Sequence, residues 1–280
     1  MIIIRKAADI SNYCKKQKQS GNRIAFVPTM GALHDGHLEL VKNALQAGSV
    51  VVCSIFVNPT QFNNKDDFEQ YPSTIEKDIE MLTLSGCHVL FLPSVPEVYH
   101  DSFKQKHYEL GYLETALEGY YRPGHFQGVC QVMDQLLNFI MPDLLYLGEK
   151  DFQQCMVIKK LIALKGLQKS ITVHIISTMR EYDGLAMSSR NLRLTSEQRK
   201  IAPSIFKELK SIKDQLQIKS PDELAEQAKS HLAESGFKVD YVQIVQKETL
   251  LPSADKSVPL IALVAAFLGP VRLIDNLPLN

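Results

Sequence analysis

Short, uniformly apolar runs alternate with helix-like stretches through the first two thirds of the chain, and few folds accept that rhythm. The runs are "RIAFV", "VVVCSIFV", "HVLFL", "DLLYLG" and "ITVHIIS". Between them, helical periodicity spans His34 to about Ala47, about Ser73 to Ser85, Gly128 to Ile140 and Asp151 to about Lys165. A strand that is apolar at every position has to be covered on both faces, so the pattern predicts an α/β fold with a parallel sheet between helical layers. After about Asn191 the character changes. Two charged amphipathic helices, about Ser196 to Leu216 and Pro221 to Ser235, precede "VDYVQIVQ", "PLIALVAAFL" and "VRLIDN", which read as strands of a smaller α+β module. We place the boundary between residues 186 and 187, giving domains 1–186 and 187–280.

At 280 residues and 45% hydrophobic content the chain can bury two cores. Its 31 basic residues balance 31 acidic ones, so there is no global field to draw in nucleic acid or an anionic membrane. Small molecules are the expected partners. The five cysteines, Cys14, Cys53, Cys87, Cys130 and Cys155, are widely spaced and form no CxxC pair. They suit a reducing compartment. "MIII" is too short for a secretory core, and the run "VPLIALVAAFLGPV" falls short of a membrane span. A cytoplasmic location is expected.

Four polar strings stand just after predicted strands: "PTMGALHDGH", "NPTQF", "GEKDFQQ" and "TMREYDGLAMSSRN". Ligands of open parallel sheets bind outside the carboxyl ends of the strands, so four such strings at equivalent positions point to one site. In the first, Gly31 permits a close turn, and the helix that follows offers amide donors and a positive dipole end to a phosphate. His34 and His37, three apart, share a helix face, and Gly36 lets a base or ribose lie against the backbone. No H-E-x-x-H spacing is present, so a phosphate is favoured over zinc. Solvated histidines at a helix start are the plain alternative. In the third string, Lys150 can neutralise a triphosphate and Asp151 can hold Mg²⁺, or the two can form an exposed charged turn. "MSSR" supplies two hydroxyls and a guanidinium suited to phosphate. Asn58, Gln61 and Gln154 are uncharged amides suited to the hydroxyl and carboxylate groups of a small polar substrate. "YRPGHFQG" pairs Arg122 with His125 around a Pro-Gly turn, for which a subunit contact or an indirect role is expected. No G-x-S-x-G elbow is present.

With "PTMGALHDGH", "FVNPTQF", "RPGHFQGV", "GEKDFQQ", "DGLAMSSRN", "DYVQIV" and "RLIDN" in view, the chain resembles the pantoate–beta-alanine ligase family of the HIGH-motif nucleotidylyltransferase superfamily, over nearly its whole length. The resemblance implies a Rossmann-like N-terminal domain, a smaller C-terminal α+β lid and a homodimer. It implies ATP-dependent condensation of (R)-pantoate with beta-alanine through a pantoyl adenylate, with Mg²⁺. By motif, the ATP contacts would be Met30, Gly31, Ala32, Leu33, His34, Asp35, Gly36, His37, Gly148, Glu149, Lys150, Asp151, Met179, Met187, Ser188, Ser189 and Arg190. His34, His37, Lys150 and Arg190 would carry the catalysis. Gln61, Gln154 and Asn58 would bind the substrates, and Asp151 or Asp78 the magnesium. Two positions depart from the family pattern: Met179 stands where a valine-like residue is usual, and Ser73 where arginine is common. The rivals are a nucleotidyl transferase that releases pyrophosphate but no AMP, and a nucleotide-binding module without turnover.

Overall fold

The computed structural model describes residues 1–280 except Asp101. The chain forms two compact units, Met1–Ser177 and Thr178–Asn280. In the first, six parallel strands lie in the order β1-β4-β3-β2-β5-β6: β1 (Ile2–Ile4), β2 (Ile24–Thr29), β3 (Val50–Ile55), β4 (Val89–Phe91), β5 (Leu144–Gly148) and β6 (Thr172–Ile176). Side-chain alternation splits each strand between two cores. On β2, Ile24 and Phe26 join the helices Ala7–Gln19, His125–Ile140 and Phe152–Leu164, while Ala25 and Val27 join the helices Asp35–Gln46 and Ile75–Leu84. Both faces are covered, which is why the strands carry almost no polar residues.

The sequence pattern misses β1 and the helix Ala7–Gln19. A three-residue strand is too short to show a period, and only Ile10 and Cys14 of that helix are buried. All five cysteines are buried free thiols.

The chain runs from β2 outward to β3 and β4, then crosses back to place β5 on the other side of β2. This is the switch point of an open parallel sheet. Six residue pairs join β2 to β3, yet β2 meets β5 only at Ala25↔Leu144 and Phe26↔Leu145. Beyond those pairs β2 and β5 part, leaving a crevice at their carboxyl ends. Pro28, which has no amide proton, is tolerated inside β2 because it lies past the last pair with β5.

The second unit is an antiparallel meander of β7 (Lys238–Gln246), β8 (Leu260–Leu268) and β9 (Val271–Pro278), packed on the helices Ser204–Gln215 and Pro221–Glu234. The single helix expected over Ser196 to Leu216 is two, Ser196–Ile201 and Ser204–Gln215. Pro203 lacks the amide that would continue the first. The unit begins at Thr178, ahead of the boundary read from sequence. Arg180 accounts for the shift: it bridges to Ala186 and forms a two-pronged ion pair with Asp275 on β9, at 2.6 and 3.0 Å. Among the described residues no helix is long and apolar enough to cross a membrane.

Candidate active site

The loop after β2 is shaped by a carboxylate. Gly31 (φ +83°) and Ala32 (φ +48°) both occupy the left-handed region, which for alanine costs about 1–2 kcal/mol. Asp78, fully buried on the helix Ile75–Leu84, holds the strained turn. Its two oxygens accept the amides of Ala32 and Leu33, each at 2.9 Å, and Thr74 Oγ1 donates at 3.0 Å. A Cβ on Gly31 would stand 3.1 Å from Asp78 Oδ2 and 3.0 Å from Ile55.

Two sequence expectations change here. The amides of Ala32 and Leu33 already serve a carboxylate, so they are not open donors for a phosphate; that capacity passes to Asp35 and Gly36, which open the next helix and have no carbonyl one turn back to bond. Asp78, with both oxygens committed to this turn, is a loop clamp rather than a magnesium ligand.

His34 ends the loop and His37 lies in the first turn of the helix Asp35–Gln46. Their rings are 4.0 Å apart between centroids, and the His34 amide donates to His37 Nδ1 at 3.3 Å. Nδ1 of His37 is therefore an acceptor, and a neutral ring must carry its proton on Nε2. Burial pushes the His37 imidazole down to about 4, and Lys150 adds in the same direction. For His34, burial first and then His37 and Lys150 lower it to about 2, against an opposite pull from Asp151. Both imidazoles are neutral at physiological pH. His34 Nδ1 is buried and makes no hydrogen bond among the described residues.

Lys150 and Asp151 stand where β5 gives way, through the turn Glu149–Asp151, to the helix Phe152–Leu164. Lys150 Nζ lies 3.2 Å from Asp151 Oδ1. The crevice between β2 and β5 thus gathers His34, His37, Lys150 and Asp151 from two loops that are far apart in sequence. Asp151 keeps about half of its side chain exposed. Among the described residues no cluster of three or more histidine, cysteine or acidic side chains forms a metal cage. Asp151 fits magnesium in the manner usual for that ion, one carboxylate with phosphate and water oxygens completing the shell.

Asn58 and Gln61 belong to the turn after β3. The orientation of their amides follows from groups that can act in only one way. The Thr60 amide can only donate, and it meets Asn58 Oδ1 at 3.3 Å. The Gly128 carbonyl can only accept, and it meets Asn58 Nδ2 at 3.1 Å. Asn58 Nδ2 also donates to Gln61 Oε1 at 3.0 Å, which leaves Gln61 Nε2 facing the Met30 sulfur at 3.0 Å. Gln61 therefore presents N–H donors beside Met30. Tyr99 OH donates to Asn58 Oδ1 at 2.7 Å. With its donors used and its oxygen shared, Asn58 positions Gln61, in place of the direct substrate contact expected of it.

Gln154 is half-buried on the helix Phe152–Leu164. Its neighbour Gln153 is spent internally on Glu118, Leu113 and Ala116. His88 Nδ1 accepts the Val51 amide and His174 stacks on Tyr146.

In the second unit, the Met187 amide donates to the Met179 carbonyl at 3.0 Å. Ser188 Oγ accepts the Arg190 amide at 3.3 Å, starting the turn Ser189–Arg193. Asn191 ties that turn to the Ala186 carbonyl. Asp183 pairs with Arg199, so its role is structural.

Fold and site together define a class: an enzyme on a Rossmann-like parallel sheet, with imidazole and ammonium donors gathered at the switch point. A family model, Pantoate-beta-alanine ligase, matches residues 2–278. The chain belongs to the pantoate–beta-alanine ligase family, and so is a ligase that joins pantoate to beta-alanine. It is similar to pantothenate synthetase from Thermus thermophilus, at 37% identity and a TM-score of 0.93, over 100% of this chain and 99% of that one. It is also similar to pantoate-beta-alanine ligase from Francisella tularensis, solved with beta-gamma ATP and beta-alanine, at 36% identity and a TM-score of 0.83, over 99% of this chain and 97% of that one.

Proposed function

We propose that the chain condenses (R)-pantoate with beta-alanine at the expense of ATP, through a pantoyl adenylate that stays on the enzyme between two half-reactions. The observation that carries this is the convergence of two neutral imidazoles and an ammonium at the β2/β5 crevice. The ATP compound and beta-alanine bound to the Francisella relative support the same substrates. A carboxylate is a poor acylating agent, so the amide bond needs a better leaving group, and AMP supplies one.

In the first half-reaction a pantoate carboxylate oxygen attacks the α-phosphorus and pyrophosphate departs. Negative charge grows on the phosphoryl oxygens and on the leaving group. Lys150, whose charge acts on both histidines, stabilises that charge as a fixed cation. His37 donates from Nε2, the position left by its bond to the His34 amide, and needs no protonation to do so. His34, with a buried nitrogen to offer, assists. Gln61 and Gln154 hold pantoate, Gln61 as a donor to its oxygens. When bound, magnesium on Asp151 would supply further charge neutralisation. In the second half-reaction the beta-alanine amine attacks the acyl carbon, the amide forms and AMP leaves. By motif resemblance, Met179, Met187, Ser188, Ser189 and Arg190 serve the nucleotide, and the working form is a cytoplasmic homodimer.

Pyrophosphate exchange tests the two-step route. ATP with pantoate alone should exchange labelled pyrophosphate, and AMP should appear in step with amide only after beta-alanine is added. No exchange without the amine would exclude the adenylate, and pyrophosphate release without AMP would make the chain a nucleotidyl transferase.

A further inference from the structure

The motif "RPGHFQG" is not absorbed by the chemistry above, yet it touches the substrate-side amide from behind. His125, 5% exposed, opens the helix His125–Ile140, and its Nδ1 lies 2.7 Å from the main-chain carbonyl of Gln61. A carbonyl can only accept, so Nδ1 carries a proton. Arg122 NH1, which can only donate, approaches Nε2 at 3.1 Å. A neutral imidazole satisfies both contacts at once, and its tautomer is fixed by them. Arg122 NH2 also reaches the Gln61 carbonyl, at 3.5 Å.

Less than one turn further, Gly128 lets the helix and the Pro59–Gln61 turn meet backbone to backbone. A Cβ there would stand 2.2 Å from the Thr60 carbonyl oxygen and 2.7 Å from Gln61 Cα. The Gly128 carbonyl then takes Asn58 Nδ2, the same group that holds Gln61 Oε1. One helical turn thus fixes Gln61 twice, through its main chain by His125 and through its side chain by way of Asn58.

We infer that His125 is a positioning residue for pantoate, acting through Gln61: it sets the main-chain angle from which the Gln61 amide points its donors. This rests on the assignment of Gln61 to pantoate. The next residues of the motif, Phe126 and Gln127, look elsewhere, into the core and onto the backbone of Tyr108.

Steady-state kinetics of isosteric variants test it. The amide nitrogen of His125→Asn falls near Nδ1 and can still donate to the Gln61 carbonyl. That of His125→Gln falls near Nε2 and cannot. His125→Asn should keep the pantoate KM close to that of the wild type. His125→Gln should raise it about three- to tenfold, the worth of one hydrogen bond, with the ATP KM unchanged. Equal pantoate KM values in the two variants, or a parallel rise in both KM values, would overturn the assignment. A wild-type chain without pantoate-dependent AMP release would instead overturn the function on which it rests, and the assignment with it.

Discussion

The amide of His34 donates to Nδ1 of His37 at 3.3 Å, so the backbone of one histidine decides which nitrogen of the other carries the proton. Both rings are held neutral, His37 at about 4 and His34 at about 2, chiefly by burial. An unfolded histidine titrates near its ordinary value of 6.5. Between that value and the folded ones, the unfolded chain binds more protons than the folded chain, and acid favours unfolding. Stability should fall as the pH drops below about 6.5, with the His37 contribution gone by about pH 4. Urea midpoints at pH 7.5, 6.0 and 5.0 measure this, and the double variant His34→Gln, His37→Gln should show a flatter profile. An unchanged profile in the double variant would place the acid sensitivity elsewhere.

Lys150 is a cation at the end of β5, outside the apolar cores of both units. Lys150→Met should keep the wild-type unfolding midpoint while AMP formation falls roughly a hundredfold to a thousandfold, as when one preorganised charge-stabilising donor is removed. Turnover within a few-fold of wild type would remove Lys150 from the chemistry.

Asp78 and Asp151 should separate cleanly in a magnesium titration. Asp78→Asn points an amide donor at the Ala32 or Leu33 amide in a buried site, so it should cost about 1–3 kcal/mol of stability and leave the magnesium half-saturation point in place. Asp151→Asn, at a half-exposed position, should shift that point upward with little effect on stability. The opposite pattern would return Asp78 to the metal.

Gln61→Glu replaces an N–H donor with a carboxylate while Asn58 still holds the near oxygen. The substrate carboxylate would then meet a like charge, and the pantoate KM should rise about ten- to a hundredfold, with the ATP KM steady. A pantoate KM unaffected by this change would show that Gln61 faces some other group.

Gly184 sits at φ +93°, and a Cβ there would lie 2.3 Å from the Phe206 ring, which is itself covered by the Arg180 guanidinium at 3.8 Å. Gly184→Ala should destabilise the second unit by about 1–3 kcal/mol through combined strain and overpacking. Thermal unfolding resolved by proteolysis of 178–280 reads this, and an unchanged cleavage threshold would contradict it.

The layered α/β class was legible in the order of residues, because strands apolar at every position have no stable home except between two covered faces. So was the position of "PTMGALHDGH" and "GEKDFQQ" at the carboxyl ends of β2 and β5. Partners emerged only on folding. Asp78 looked like a metal ligand because a carboxylate's type is visible in sequence, whereas the amides of Ala32 and Leu33 that it accepts are 46 and 45 residues away. Asn58 looked like a substrate amide for the same reason, until Gly128 and Tyr99 were seen to use its hydrogen-bonding groups. Composition and spacing specify what a side chain can do. Hydrogen bonds are short and directional, so the folded chain alone decides which of those capacities is left over for a ligand.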